Sequence, residues 1–396
     1  MPDRRTPLYD VHVRAGARMI KGGGDFMFPA LYTSVQEEHV NTRTTVGMQD
    51  LSTMGEVDIK GPGAERLINH LLVNEIRDLM PGQLRYSTMC NADGGVVDDI
   101  TVYKFSDEHF MIVTSSGPRK KTARWIADHA VGTGAYVSDI TAAIALPVVQ
   151  GPRSRDFLKT IVEDVDFDAL KYFRFMTGRI LMTDLVISRS GYTGELGYEL
   201  YTPAEEAAEI WEHIVQAGRA FGLQPYGVLA MQSLRLEKGY PLYGNDLNEN
   251  VTPFHTGLDK WIRFDKRDFI GRDALLRVQD EGLTERWVGL VLQGEKAASL
   301  KDKVYGIGDI SAFRAKMFSG SQAGAYKDTM SFGEEVGHVT FSSRGYTVGK
   351  VLAMAYVKTS HSWPGSRLLV QINGRPVLAT VTLTPFFDPQ GARLRA

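Results

Sequence analysis

From about residue 285 the chain changes its texture, and that change limits what it can fold into more than any other feature. The runs VGLVLQ, GHVTF, KVLAMAYV, RLLVQING and VLATVTLTP are short, rich in β-branched residues and separated by turn formers, with no strong helix between them. Such spacing predicts a β-barrel or sandwich of about 110 residues. Ahead of it, strand-like and helix-like stretches alternate twice. At 396 residues the chain exceeds a single core, so three lobes are expected.

The first alternation occupies residues 55–140. GEVDIKG is a short strand, and GPGAERLINHLL is a helix with Leu67, Ile68, Leu71 and Leu72 on one face. LRYSTMCNADGGVVDDITVYKF and HFMIVTSS follow as strands around a D-G-G turn, then PRKKTARWIADHA as an amphipathic helix. The second alternation begins at AAIALPVVQGPRSRDFLKTI and runs through GRILMTDLVISRSGYTGELGYELY to the helix EEAAEIWEHIVQAGRAFG. YGVLAMQSLRLEKG is a further helix ending near Gly239, followed by a polar connector with a turn at Pro253. Residues 8–54 give a helical start and then loop around the glycines at 22–24, and residues 305–328 form a long loop inside the C-terminal region.

Charge and cysteine content narrow the function classes. With 45 basic and 47 acidic residues the net charge is −2, which provides no field for nucleic acid or anionic lipid. A single cysteine, Cys90, rules out an internal disulfide framework and any multi-cysteine metal site made by this chain alone. No window approaches the roughly 18 to 20 apolar residues of a membrane span, so a cytoplasmic protein is expected. The nine histidines show no H-E-x-x-H spacing, so no metal is expected, and His39, His70 and His255 are assigned to core or surface. There is neither a G-x-x-x-x-G-K-[ST] loop nor a G-x-S-x-G elbow, and Cys90 has no base near it in sequence.

One strand carries an anomaly. In VVDDITVYKF the alternation puts Val96, Asp98, Ile100 and Val102 on one face and Val97, Asp99, Thr101 and Tyr103 on the other. Asp98 falls on the more apolar face. A carboxyl there either caps a turn, pairs with an arginine, or lines a cavity that a ligand fills, because an isolated buried charge costs several kcal/mol. GYTGELGYE, around Glu195, is either a hairpin or a glycine-rich floor for a flat ligand. SLRLEKGYPLYGND places Arg235 on a helix ahead of Tyr240 and Tyr243, as a surface ion pair or as a grip on an anion.

Taken in order, LYDVHVRAGARM, VGMQDLSTMGEVDIKGPGA, LRYSTMCNADGGVVDDITVYKF, VVQGP, SRSGYTGELGYEL, LRLEKGYPLYG and RDFIGRDAL resemble the aminomethyltransferase family, the T-protein of the glycine cleavage system. The likeness covers residues 8 to 290 well and the C-terminal lobe loosely. It implies an α+β fold: a three-lobed cloverleaf of two α/β lobes plus a C-terminal β-barrel around a central folate channel. The lobes would be a discontinuous folate-binding lobe, residues 1–54 with 141–250, a lobe of residues 55–140 carrying the catalytic aspartate, and a barrel of residues 285–396. Position by position, the resemblance makes Asp98 the catalytic aspartate and Glu195 the residue that holds the pterin. It puts Tyr86, Tyr198, Arg235, Tyr243 and Met54 along the tetrahydrofolate channel.

The residue types suit that chemistry. A carboxylate beside a folate nitrogen stabilises the positive charge that develops there, and pterin N–H donors suit a second carboxylate. Departures from the family lie on the donor side. Where members continue GARM with an aspartate and a glycine–tryptophan pair, this chain has GARMIKGGGDFMFP with Lys21. Where they have D-V-S-H-M, it has Asp50-Leu51-Ser52-Thr53-Met54. TPFHTGLDKWIRF and VKTSHSW around His361 are closer to the folate-dependent demethylase relatives, such as dimethylsulfoniopropionate demethylase. The expected activity is therefore methyl transfer from a small sulfonium, amine or aryl ether to N5 of tetrahydrofolate. The alternative is aminomethyl transfer from a lipoyl carrier protein. A non-catalytic folate-binding accessory protein, or the folate domain of a flavin-dependent oxidase, ranks below both.

Overall fold

A computed structural model describes residues 4–22, 24–308 and 331–396. Gly23 and residues 309–328 of the long C-terminal loop lie outside the described residues.

Residues 55–139 form a five-stranded sheet in the order Gln83–Cys90, Val96–Ser106, His109–Thr114, Gly55–Lys60, Tyr136–Asp139. Helices Ala64–Leu71 and Arg119–Ala130 cover one face, burying Leu67, Ile68, Leu71 and Ile126 against Val57, Ile59, Ile100, Val102 and Ile112. The second sheet runs Phe175–Ile180, Thr183–Ser188, Gly197–Pro203, Pro147–Gln150, Val46–Asp50, Leu223–Pro225, with Ile144–Ala145 also paired to Gly197–Pro203. Strand Val46–Asp50 lies between Pro147–Gln150 and Leu223–Pro225, so a segment from the first fifty residues completes a sheet otherwise made from residues 144–225. Helix Ala207–Gly218 packs Ile210, Trp211 and Ile214 on it.

The two sheets meet face to face. Leu84, Tyr103, Met111 and Val113 of the first pack against Leu146, Val148, Phe175 and Tyr201 of the second. From Glu285 onward the chain closes a six-stranded barrel: Glu285–Leu292, Lys350–Lys358, Phe332–Gly345, Lys303–Ile307, Arg367–Ile372, Arg375–Thr382. Its interior is filled by small apolar residues such as Val304, Val339, Ala353, Ala355 and Val370.

Two local expectations fail. The glycine-rich stretch expected as loop is a β-hairpin, Arg18–Gly22 against Phe26–Leu31, because Gly24 and Asp25 both adopt positive φ and turn the chain back on itself. The polar connector, for which no helix was read, contains helix Arg272–Glu281, which starts after Gly271 at φ +89° and buries Ala274 and Leu275.

One guanidinium joins the parts. Arg43, on helix Val35–Thr44, donates to the Thr193 carbonyl (2.7 Å), to Glu195 (3.0 Å), to Glu237 (3.1 Å) and to the Leu234 carbonyl (3.2 Å). Glu237 also accepts the backbone N–H of Thr347 (2.8 Å) and Val348 (3.2 Å) from the barrel, and Glu195 accepts Arg393 Nε at 2.8 Å. Burial alone would raise the Glu237 pKa, but the hydrogen bond from His39 and the charge of Arg43 hold it down at about 2. Removing Arg43 takes a buried cation from between two buried carboxylates that its other partners do not neutralise alone, which costs about 3–5 kcal/mol. Arg43→Met should therefore lower the midpoint of chemical denaturation by an amount corresponding to that range, followed by circular dichroism. A shift equivalent to under about 1 kcal/mol would show that the network is dispensable.

Candidate functional site

The strand Val96–Ser106 separates the adjacent acids. Asp98 pairs across the ladder with Met89 and Asp99 with Thr88, so their side chains leave on opposite faces. Asp98 is fully buried on the helix side, where one carboxyl oxygen accepts Thr122 Oγ1 at 2.7 Å and the other the Asp99 N–H at 2.9 Å. Asp99 points the other way, toward the second sheet and the barrel. It accepts Ser115 Oγ at 3.1 Å and the Tyr86 hydroxyl at 3.1 Å. Burial, and then the charge of its neighbour, push the Asp98 pKa well up; burial also raises that of Asp99. Two carboxyls one residue apart in such a setting do not both ionise easily, and burial pushes Asp98 further up than Asp99.

The face that bears Asp99 continues into the space between the sheets. Four residues along, Tyr103 turns its hydroxyl to Ser188 (3.0 Å), Tyr201 (2.8 Å) and Glu199 (2.9 Å). One oxygen of Glu199 collects three hydroxyls, from Tyr103 at 2.9 Å, Tyr201 at 2.9 Å and Ser188 at 3.3 Å. Glu199 is placed there by alternation in Gly197–Pro203, where Leu200 faces the lobe core and Glu199 and Tyr201 face the first sheet.

A second wall comes from helix Val228–Lys238 and the turn after it. Arg235, fully buried, donates to Asp246 (2.7 Å), to the Tyr240 carbonyl (3.0 Å) and to Gln232 (2.9 Å), and lies 4.4 Å over the Phe341 ring of the barrel. Its Nη2 has no partner. Tyr192 stacks on Tyr240 at 5.7 Å and feels the charges of Arg235, Asp99 and Asp246, which locates it between the two walls. Tyr243 takes a hydrogen bond from Lys121 at 2.8 Å. Asp99, Tyr86, Tyr192, Tyr240, Tyr243, Glu199 and Met54 are all half-buried. Tyr86, Tyr192, Asp99 and Arg235 lie within electrostatic reach of one another, and together they outline the candidate site.

Of the residues expected from the sequence, Tyr86, Arg235, Tyr243 and Met54 come together around this space. Three do not. Asp98 is on the far side of its sheet. Glu195 is enclosed by Arg43 and Arg393, both its oxygens engaged. Tyr198 is fully buried in the second lobe's core, edge-on to Phe167 at 5.2 Å, with Arg155 Nε 3.3 Å from its hydroxyl. Asp99, Glu199, Tyr192, Tyr103 and Asp246 were missed. The signal for two of them was present: alternation puts Asp99 in line with Thr101 and Tyr103, a polar, aromatic face too rich in hydroxyls for a core.

The arrangement suits a flat, hydrogen-bonding ring. Aromatic side chains offer faces on which it can lie, Glu199 offers an acceptor for ring N–H groups, and Asp99 sets one charge beside it. Among the described residues no group of three or more histidine, cysteine, aspartate or glutamate side chains could hold a metal ion. Cys90 is buried and its thiol is pushed up to about 12, so it does not serve as a nucleophile.

Residues 8–266 match the GCVT N-terminal domain, and residues 316–388 the glycine cleavage T-protein C-terminal barrel domain. An aminomethyltransferase of Halothermothrix orenii is 36% identical over 383 residues, covering 97% of this chain and 99% of the relative. One from Moorella thermoacetica is 37% identical over 384 residues, covering 97% and 98%. Among solved structures, the glycine cleavage system aminomethyltransferase T from Bartonella henselae superposes with a TM-score of 0.86 at 26% identity, covering 98% of this chain and 99% of that one.

Proposed function

The chain belongs to the glycine cleavage T-protein family, and on that premise we propose that it is a tetrahydrofolate-dependent one-carbon transferase, with aminomethyl transfer from a lipoyl carrier protein as its reaction. In that reaction the aminomethyl carbon leaves the lipoyl sulfur for the folate, giving 5,10-methylenetetrahydrofolate, ammonia and the free thiol. The observation that carries the reading is Asp99, a charged carboxylate that faces the tyrosine-lined space and is held from behind by Tyr86 and Ser115. Similarity to aminomethyltransferases over almost the whole chain supports the choice of donor.

The pterin supplies the nucleophilic nitrogens, and this chain's residues do the rest. Glu199 accepts the pterin's N–H donors, with Tyr103, Tyr201 and Ser188 fixing its orientation. Tyr86, Tyr192 and Tyr243 would confine the ring. Asp99 would stabilise positive charge developing beside it and take up a proton, for which its ionised form is needed. Asp98 serves by staying neutral, which keeps a second negative charge away from Asp99. A role for Glu195 and Tyr198 in holding the pterin directly has no support in their positions. Both act as structural residues of the second lobe.

One observation favours a second reading, in which a small molecule gives a methyl group to N5 and 5-methyltetrahydrofolate is formed. The donor side bears a hydroxyl pair, Thr53 with Ser116 at 2.8 Å, and a cationic helix start close by. Incubation with tetrahydrofolate and either an aminomethylated lipoyl carrier or small methyl donors separates the two readings by product. Methylene-folate with ammonia supports the first, and methyl-folate overturns it.

Three outcomes are expected from variants. Asp99→Asn should lower kcat by about 10²–10⁴-fold, the usual worth of a positioned acid–base group, while Asp98→Asn stays within ten-fold of wild type. The reverse order would return the chemistry to Asp98. Glu199→Gln should weaken tetrahydrofolate binding by about 10–100-fold in a fluorescence titration, the equivalent of about 1.5–3 kcal/mol for a charged hydrogen bond, whereas Glu195→Gln should leave affinity within a few-fold. Because Asp99 works ionised and its pKa is raised to about 6, kcat/KM should rise with pH through that region and then level off. A profile flat from pH 5 to 8 would contradict this assignment.

A further inference from the structure

Asp99 is flanked on its own face of the sheet by two hydroxyl residues. The ladder between Val96–Ser106 and His109–Thr114 pairs Thr101 with Val113, and continuing that register by two residues puts Ser115 directly opposite Asp99. On the other flank Asp99 pairs with Thr88 of Gln83–Cys90. The two flanks are not equivalent. Thr88 Oγ1 is buried without a hydrogen bond to Asp99. Ser115 Oγ lies 3.1 Å from Asp99 Oδ1 and 3.2 Å from the Asp99 main-chain oxygen. The Tyr86 hydroxyl serves the other carboxyl oxygen, Oδ2, at 3.1 Å. A serine has one hydroxyl hydrogen, so Ser115 can donate to only one of its two acceptors at a time.

That surplus acceptor has a use. With Asp99 ionised, the serine hydrogen goes to Oδ1. With a proton on Oδ1, the new O–H donates to Ser115 Oγ, and the serine turns its own hydrogen to the main-chain oxygen. The change is one rotation about the Cβ–Oγ bond, and no heavy atom moves. The Tyr86 hydroxyl bonds no second acceptor among the described residues, so it lacks this alternative. We propose that Ser115 is a positioning residue that keeps the Asp99 carboxyl hydrogen-bonded in both of its protonation states, donating to the carboxylate and accepting from the acid. This role rests on the transferase reading, in which Asp99 takes up a proton. Burial raises the Asp99 pKa, and Ser115 is the largest of the influences that lower it, ahead of Tyr86. The other titratable and charged groups in reach are Asp98 on the same strand, Tyr86 on the next strand, Tyr192 from the second lobe, and Asp246 with its partner Arg235. Both tyrosines are pushed above the ordinary phenol range, so they stay protonated while the carboxyls titrate. A hydrogen bond to a charged acceptor is about twice as strong as a neutral one, so loss of Ser115 costs the ionised form of Asp99 more than the acid.

Carbon-13 NMR of the protein labelled at its aspartate carboxyls follows each acid without requiring turnover, and Asp98→Asn and Asp99→Asn assign the two signals. In Ser115→Ala the Asp99 midpoint should rise by about one pH unit, a ten-fold loss of acidity, and in Ser115→Thr it should return to the wild-type value. Thr88→Val, on the silent flank, should not move it. Should the alanine variant not fold, Ser115→Cys, a weak donor and acceptor of similar size, takes its place with a smaller shift. Urea denaturation followed by circular dichroism separates the two-state role from that of a donor alone. Ser115→Ala should unfold at lower urea than wild type at both pH 5 and pH 8, because each form of Asp99 has lost a partner. A loss at pH 8 only makes Ser115 a donor and overturns the proposal, as does an unmoved midpoint or one moved equally by Thr88→Val. In turnover, the rising limb of kcat/KM should shift with the NMR midpoint while KM for tetrahydrofolate stays within a few-fold. A limb that does not follow, with the NMR shift intact, overturns the place of Asp99 in the reaction and not its bond to Ser115.

Discussion

Arg43 is the interaction on which the arrangement of the lobes depends. Its guanidinium reaches two carboxylates and two carbonyls that come from different parts of the chain, and it sits 4.5 Å over Phe387 of the C-terminal segment. Such a charge is tolerable in the interior only because every partner is in place at once. The consequence is geometric. The GYTGE loop, helix Val228–Lys238 and the barrel loop at Thr347 cannot drift independently, so the wall bearing Tyr192 and Arg235 keeps its distance from the wall bearing Asp99. Glu195 belongs to this joint, and for that reason it is not free to address a ligand.

The same economy of charge governs the acidic pair. The hydroxyls of Tyr86 and Ser115 position one carboxylate on the site face, and a second ionised one on the same face would repel it. The strand resolves this by alternation: Asp98 goes to a site where Thr122 and a backbone N–H satisfy it and burial keeps it protonated, while Asp99 faces the cavity. One residue's neutrality is thus part of the other's charge. Glu199 follows the same rule on the opposite sheet, three hydroxyls converging on one oxygen so that the carboxylate points in a fixed direction.

Periodicity made much of this legible. The change of texture near residue 285 marked the barrel, and the amphipathic pattern of AERLINHLL and RKKTARWIADHA marked the helices that cover the first sheet. The hairpin at residues 18–31 was hidden because its turn depends on Asp25 adopting positive φ, a choice that composition does not announce. Within the site, alternation correctly put Asp98 and Asp99 on different faces, but the apolar face was taken for the ligand side. The apolar face is the one that meets the helices; a cavity for a polar ring is lined by hydroxyls, which is what Thr101 and Tyr103 beside Asp99 indicated. For Glu195 and Tyr198 the obstacle was long-range: nothing near GYTGELGYE in sequence shows that Arg43 and Arg393, 152 and 198 residues away, converge on Glu195.

The wall around Glu199 and Arg235 is largely built before any ligand arrives. Three hydroxyls fix the Glu199 carboxylate, and Arg235 is held by Asp246, Gln232 and the Tyr240 carbonyl, with its Nη2 alone left without a partner. A flat, donor-bearing ring that meets such a surface requires little reorganisation, so the match between its donors and carboxylates already pointed in a fixed direction, and not the number of contacts, sets the discrimination.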